Sequence, residues 1–152
     1  MKNMTLENIA AVCGVYHGDP AKSKQEVTNI VIDSRKIEPG GLFIATKGER
    51  VDGHSFIGQV IEKGALAVVS EQELPDADFP YILVKDSFTA LKQIAAFYRR
   101  QLSVRVVGIT GSVGKTSTKE MIAGVLSAKY RVMKTEGNFN NEIGLPLTIL
   151  RI

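Results

Sequence analysis

Short apolar runs alternate with amphipathic stretches along the 152 residues, and the alternation predicts strands and helices in turn. Thr5 to Cys13 reads as a short helix, with Thr5 placed to cap its start and Gly14 just past its end. Val27 to Ile32 reads as a strand ending at Asp33-Ser34-Arg35, and Pro39-Gly40-Gly41 turns the chain into a second strand, Leu42 to Ala45. A polar loop from Thr46 to His54 leads to a helix, Ser55 to Lys63, ended by Gly64 and followed by the strand Ala65 to Val69. Tyr81 to Val84 is another strand. Beyond it Leu91, Ile94, Ala95, Tyr98 and Leu102 recur at helical spacing, with Asp86 or Ser87 placed to cap the start, and this stripe reads as core. Val104 to Thr110 then predicts a buried strand. Lys115 to about Ser127 predicts a helix with Met121, Ile122, Val125 and Leu126 on its buried side, and Arg131 to Lys134 one more strand.

Alternating units of this kind predict an α/β fold with mostly parallel strands. The expected division is a small N-terminal domain over 1–85, a linking helix over 86–103, and the opening of a second domain over 104–152. There is no internal repeat, and Gly and Pro punctuate rather than form linkers.

The junction of the late strand and helix carries the sharpest chemistry. Val106-Val107-Gly108-Ile109-Thr110 is followed at once by Gly111-Ser112-Val113-Gly114-Lys115-Thr116-Ser117. Glycines let consecutive backbone N–H groups turn toward one anion, a helix N-terminus adds its positive end, and the Lys115 ammonium neutralises outer phosphates. Thr116, the hydroxyl after the lysine, is placed to hold Mg²⁺. The general pattern asks for a glycine where this chain has Ile109. A nucleoside triphosphatase also needs a metal-binding carboxylate closing a second apolar strand. Glu120, Glu136 and Glu142 close no such run, so the chain reads as the N-terminal part of a longer enzyme.

Composition narrows the partners. Nineteen basic residues are scattered among 16 acidic ones for a net charge of +3, which suits small anions and argues against nucleic acid. No apolar run approaches a membrane span, the start lacks the pattern of a signal peptide, and one cysteine excludes an internal disulfide, so the expected compartment is the cytoplasm. Cys13 shares an apolar helix face with Leu6, Ile9 and Ala10 and reads as packing. His17, beside Gly18-Asp19-Pro20, reads as an exposed turn residue, and neither histidine has metal-ligand spacing.

Three segments taken in order resemble the Mur ligases: Asp33-Ser34-Arg35 with Gly40 to Ala45, then Lys47 to Phe56, then Thr110 to Thr116. The segment Gly137 to Pro146 is most similar to the branch that joins D-alanyl-D-alanine to UDP-N-acetylmuramoyl-tripeptide. The resemblance implies ATP and Mg²⁺ as cofactors, with an N-terminal UDP-binding domain and the opening of an ATPase domain. It implies ATP binding by Gly111, Ser112, Val113, Gly114, Lys115, Thr116 and Ser117, with Lys115 catalytic and Thr116 on the metal. Val113 and Ser117 stand where the family commonly has asparagine and threonine. Substrate contacts fall on Ser34, Arg35, Lys47, His54, Asn138, Asn140 and Asn141. Each has a plainer alternative: a surface ion pair between Asp33 and Arg35, a tight polar loop over Lys47 to His54, and ordinary loop-forming asparagines. Two other functions stay open, a ligase of the same superfamily adding a different amino acid or glutamates to folate, and a nucleotide-binding module without catalysis.

Overall fold

The computed structural model describes residues 1–48, 51–136 and 141–152. Five strands form one sheet in the order β1-β5-β4-β3-β2, where β1 is Val15–His17, β2 Ile30–Val31, β3 Leu42–Ile44, β4 Ala67–Ser70 and β5 Tyr81–Leu83. The β2–β3, β3–β4 and β4–β5 pairings are parallel, as the alternation predicted, and only β1 runs antiparallel, with Tyr16 opposite Ile82. Helix α1 spans Leu6–Cys13, α2 Pro20–Ser23, α3 Ile57–Glu62, α4 Ser87–Gln101, α5 Lys115–Ser127 and α6 Gly144–Ile149. A 3₁₀ turn, Gly53–Phe56, precedes α3.

The central strands are covered on both faces, so they read as unbroken apolar runs whose alternate residues go to opposite layers. Leu42, Ile44, Val69 and Ile82 point into one core with Ile9 of α1, Leu91 and Ile94 of α4, and Leu150 beyond α6. Phe43, Val68 and Tyr81 point the other way, onto Ile57 and Val60 of α3. Each such fully buried side chain contributes about 1.5–3 kcal/mol relative to exposure.

The helix starts follow local chemistry. Thr5 Oγ1 accepts the Asn8 N–H at 3.2 Å to cap α1, and Asp86 Oδ1 accepts the Thr89 N–H at 2.6 Å to cap α4. Cys13 is partly buried beside the first core, and its thiol donates to the Ile9 carbonyl at 3.1 Å.

Several expectations need correction. Residues 104–110 and 131–134 form no strand. A strand exists by exchanging ladder hydrogen bonds with a neighbour, and none of the five strands lies beside either run. Helix α5 forms where expected but has no sheet beneath it: Met121 is 72% and Val125 76% exposed, and only Ala123 is buried. His17 is no turn residue. It lies in β1, half-buried, stacked on Tyr81 with ring centroids 4.8 Å apart. The turn signal after it belongs to α2, where Asp19 caps and Pro20 occupies the first turn.

Candidate functional site

Parallel strands deliver the segments that follow them to one edge of the sheet, where α/β folds gather ligands. Here β2 delivers Asp33-Ser34-Arg35, β3 delivers the loop beginning at Thr46, β4 delivers Glu71, and β5 leads into the start of α4. Ser34 is buried, and its carbonyl accepts the Lys63 ammonium at 3.1 Å. Arg35 is 83% exposed and forks onto Asp33, with Nε 2.9 Å from Oδ1 and Nη2 2.8 Å from Oδ2. The plainer reading of this pair is therefore what the structure holds. That Arg35 side-chain bond, with the Arg35 backbone N–H behind it, pulls the Asp33 carboxyl down to about 2. The guanidinium nonetheless keeps most of its surface in water, so an anion could be recognised beside the fork.

The loop after β3 folds back on itself. Lys47 and Asp52 face each other in an antiparallel bridge, Gly48 N–H reaches Val51 O at 3.0 Å, and Gly53 N–H reaches Thr46 O at 2.9 Å. Gly53 sits so close to its neighbour that a Cβ there would meet Thr46 N and O at 2.8 Å. Lys47 is exposed, whereas the His54 side chain is only 8% exposed. Its Nδ1 lies 2.6 Å from Asp52 Oδ1, and its Nε2 accepts the Glu71 N–H at 3.2 Å. Both ring nitrogens are engaged inside the protein. Asp52, Glu71 and Ser87, absent from the sequence-based set, complete this arrangement. The signal that could have found Asp52 is its position two residues before His54, where an aspartate closes a turn on the backbone.

The glycine-rich turn lies further along the chain. Gly111 at φ +149° and Gly114 at φ +79° take backbone conformations that side chains rarely adopt, and a Cβ at Gly114 would meet nothing within 4 Å. Gly114 caps α5 without a side chain, so no side-chain acceptor closes the helix start. Lys115 Nζ turns back to donate to the Gly111 carbonyl at 2.5 Å. Gly111 to Ser117 are all exposed, so the turn and the start of α5 are open to solvent. Among the described residues no cluster of His, Cys, Asp or Glu could hold a metal ion. A cation there would rest on the Thr116 hydroxyl and otherwise on phosphate and water oxygens.

Asn138 and Asn140 lie outside the described residues. Asn141 Oδ1 accepts the Gly144 N–H at 2.7 Å and the Ile143 N–H at 3.3 Å, which sets the start of α6. A cleft of about 120 Å³ separates α6 from the turn after β2, lined by Asp33, Lys36, Gly144, Thr148 and Arg151 among others. The 141–151 segment is thus neighbour to the Asp33-Ser34-Arg35 turn. No helix among the described residues is long and apolar enough to cross a membrane.

Comparison with known proteins gives one consistent answer. Residues 26–99 match "Mur ligase family, catalytic domain" and residues 109–152 match "Mur ligase middle domain". The UDP-N-acetylmuramoyl-tripeptide–D-alanyl-D-alanine ligase of Bacillus subtilis is 47% identical over 99% of this chain, which spans 33% of that protein. Among solved structures, MurF of Acinetobacter baumannii superposes with a TM-score of 0.86 at 37% identity, covering 97% of this chain and 33% of that one. MurF of Thermotoga maritima, solved in complex with ADP, superposes at 0.71 with 42% identity over 80% of this chain and 28% of that one. The chain spans about a third of the length of these relatives.

Proposed function

The chain belongs to the Mur ligase family, and on that premise we propose that it forms the N-terminal third of an ATP-dependent amide ligase. This enzyme joins D-alanyl-D-alanine to UDP-N-acetylmuramoyl-tripeptide in the cytoplasm during peptidoglycan precursor synthesis. The observation that carries the reading is the match to ligases of that one name along nearly the whole chain. In this reading residues 1–85 bind the uridine nucleotide, 86–103 link, and 104–152 open the ATPase domain.

The chemistry follows from the groups present. A carboxylate resists attack by an amine, because its charge is delocalised and oxide is a poor leaving group. Transfer of the ATP γ-phosphoryl group onto the substrate carboxylate releases ADP and gives an acyl phosphate. The D-alanyl-D-alanine amine then attacks the acyl carbon and phosphate departs. Main-chain N–H groups of 111–117 and the start of α5 hold the phosphates. Lys115 leaves the Gly111 carbonyl to neutralise charge growing on the transferred group, the dominant effect in phosphoryl transfer. Thr116 would hold Mg²⁺, whose positive charge would offset that of the ATP phosphates. At the sheet edge, Ser34, Arg35 and Lys47 bind the anionic uridine nucleotide, and the asparagine-rich segment through Asn141 flanks the same substrate.

The test uses the whole encoded protein and measures D-alanyl-D-alanine-dependent release of ADP. Calorimetric titration then compares Arg35→Ala with the parent for UDP-N-acetylmuramoyl-tripeptide, and Lys115→Ala for Mg-ATP. A charge-assisted hydrogen bond of about 1.5–3 kcal/mol predicts a loss of roughly 10- to 100-fold at each matched pair. Unchanged affinities would remove these residues from the site, and turnover with another amino acid would replace the substrate assignment.

A further inference from the structure

One imidazole ties the loop after β3 to the junction of β4 and α4. A backbone N–H can only donate, so the 3.2 Å contact from Glu71 N–H fixes the lone pair of His54 on Nε2. The ring proton therefore sits on Nδ1 and is donated to Asp52 Oδ1 at 2.6 Å. The circuit continues through Glu71, whose Oε1 accepts the Ser87 N–H at 2.8 Å, and through Ser87, whose Oγ donates to the Ala45 carbonyl at 2.7 Å. Ala45 is the residue just ahead of the loop, so the path returns to its origin. Within the circuit lies the bridge between Lys47 and Asp52. The Asp52 carboxyl is held below its ordinary range first by the His54 backbone N–H, then by the His54 ring, with a smaller contribution from Lys47.

We propose that His54 is a positioning residue: its doubly engaged ring fixes the paired arms 46–48 and 51–53 so that Lys47 is held ready for the diphosphate of a uridine nucleotide, while the ring itself touches no ligand. This rests on the reading of the sheet edge as the uridine-nucleotide site. A buried ring with both nitrogens used has no donor left to offer a substrate, whereas the exposed lysine on the loop it anchors does. The assignment also explains why Asp52 is needed. It takes the ring proton and so keeps Nε2 available for Glu71.

The test compares His54→Ala, His54→Asn and His54→Gln in the whole encoded protein. Glutamine sets an amide oxygen near the Nε2 position and can accept the Glu71 N–H, whereas asparagine reaches only toward Asp52. Expected is a rise of about tenfold in KM for UDP-N-acetylmuramoyl-tripeptide in the alanine variant, the loss of roughly one hydrogen bond. Glutamine should restore KM to within about threefold of the parent, and asparagine less. KM for ATP should move far less than KM for the uridine substrate. Equal losses in all three variants would mean that the ring contacts the ligand, and parallel losses for ATP tracking a lower Tm would mean a merely structural role. Either result overturns the proposal. Titration of uridine diphosphate into the same proteins separates the two readings: a parent that binds it yet forms no D-alanyl-D-alanine amide refutes the ligase assignment alone. The variants' affinities then still decide the role of His54.

Discussion

Replacing Gly53 with alanine tests the loop geometry directly. The added Cβ would stand 2.8 Å from both the nitrogen and the oxygen of Thr46 and 3.2 Å from the Ala45 Cα. Reaching ordinary contact distance requires a shift of roughly half an ångström. All three neighbours are backbone, so no side chain can swing aside, and moving the two arms apart stretches the 2.9 Å bond from Gly53 N–H to Thr46 O. Overpacking of this kind costs about 1–3 kcal/mol. For a chain of this size each kcal/mol moves Tm by about 2–4 °C, so Gly53→Ala should melt roughly 2–12 °C lower. Gly58→Ala is the matched control: a Cβ there meets nothing within 4 Å, and alanine is favoured over glycine in an exposed helix by up to about 1 kcal/mol. The assay is thermal unfolding by circular dichroism, followed by titration with uridine diphosphate, whose affinity should fall in Gly53→Ala because Lys47 shares the displaced loop. A Gly53→Ala protein that melts at or above the parent temperature would refute the close approach on which the loop description rests.

Four further outcomes are expected. Burial pushes the Cys13 thiol up to about 12, and the thiolate is the reactive form, so alkylation at pH 8 should run at least about 100-fold slower in the native chain than in urea. Because the folded value lies above the unfolded one, this contribution to stability is intact below about pH 9 and is lost as pH rises toward 12; urea midpoints that do not fall between pH 8 and pH 11 would contradict it. Ile94→Ala, at a fully buried site, should lower stability by about 2–5 kcal/mol. Met121→Ala on α5, 72% exposed, should stay within about 0.5 kcal/mol in this chain, and a large loss there would restore the buried face expected from the helical pattern.

The sequence shows plainly what short-range rules and two-sided burial encode. Leu42-Phe43-Ile44 and Val68-Val69 are apolar on both faces, and Thr5 and Asp86 carry capping chemistry, so β3, β4, α1 and α4 emerge from pattern alone. Three-residue β1 escapes because an edge strand with Val15 59% exposed shows too little alternation. α6 escapes although Asn141 and Pro146 form a helix-start signature, because the run Leu145 to Leu150 also suits a strand. Residues 104–110 fail in the opposite sense: strand propensity is local, but a strand is a property of two neighbours. At the candidate site, the residue types at Ser34, Arg35 and Lys47 are readable from the sequence, whereas the engagement of the His54 Nε2 depends on the Glu71 N–H, which only folding brings near.

The α6 segment has a wider consequence. Leu150, with Ile143 and Leu147 partly buried, lines the same core as α4, and Lys92 pairs with Glu142 at 3.1 Å. A proteolytic nick between α4 and α5 would therefore divide the polypeptide without dividing its architecture: the fragments should stay associated on a sizing column. Released from its C-terminal partner, the front half would be left with a bare oily flank and should become sticky, so the two stretches melt as one cooperative body.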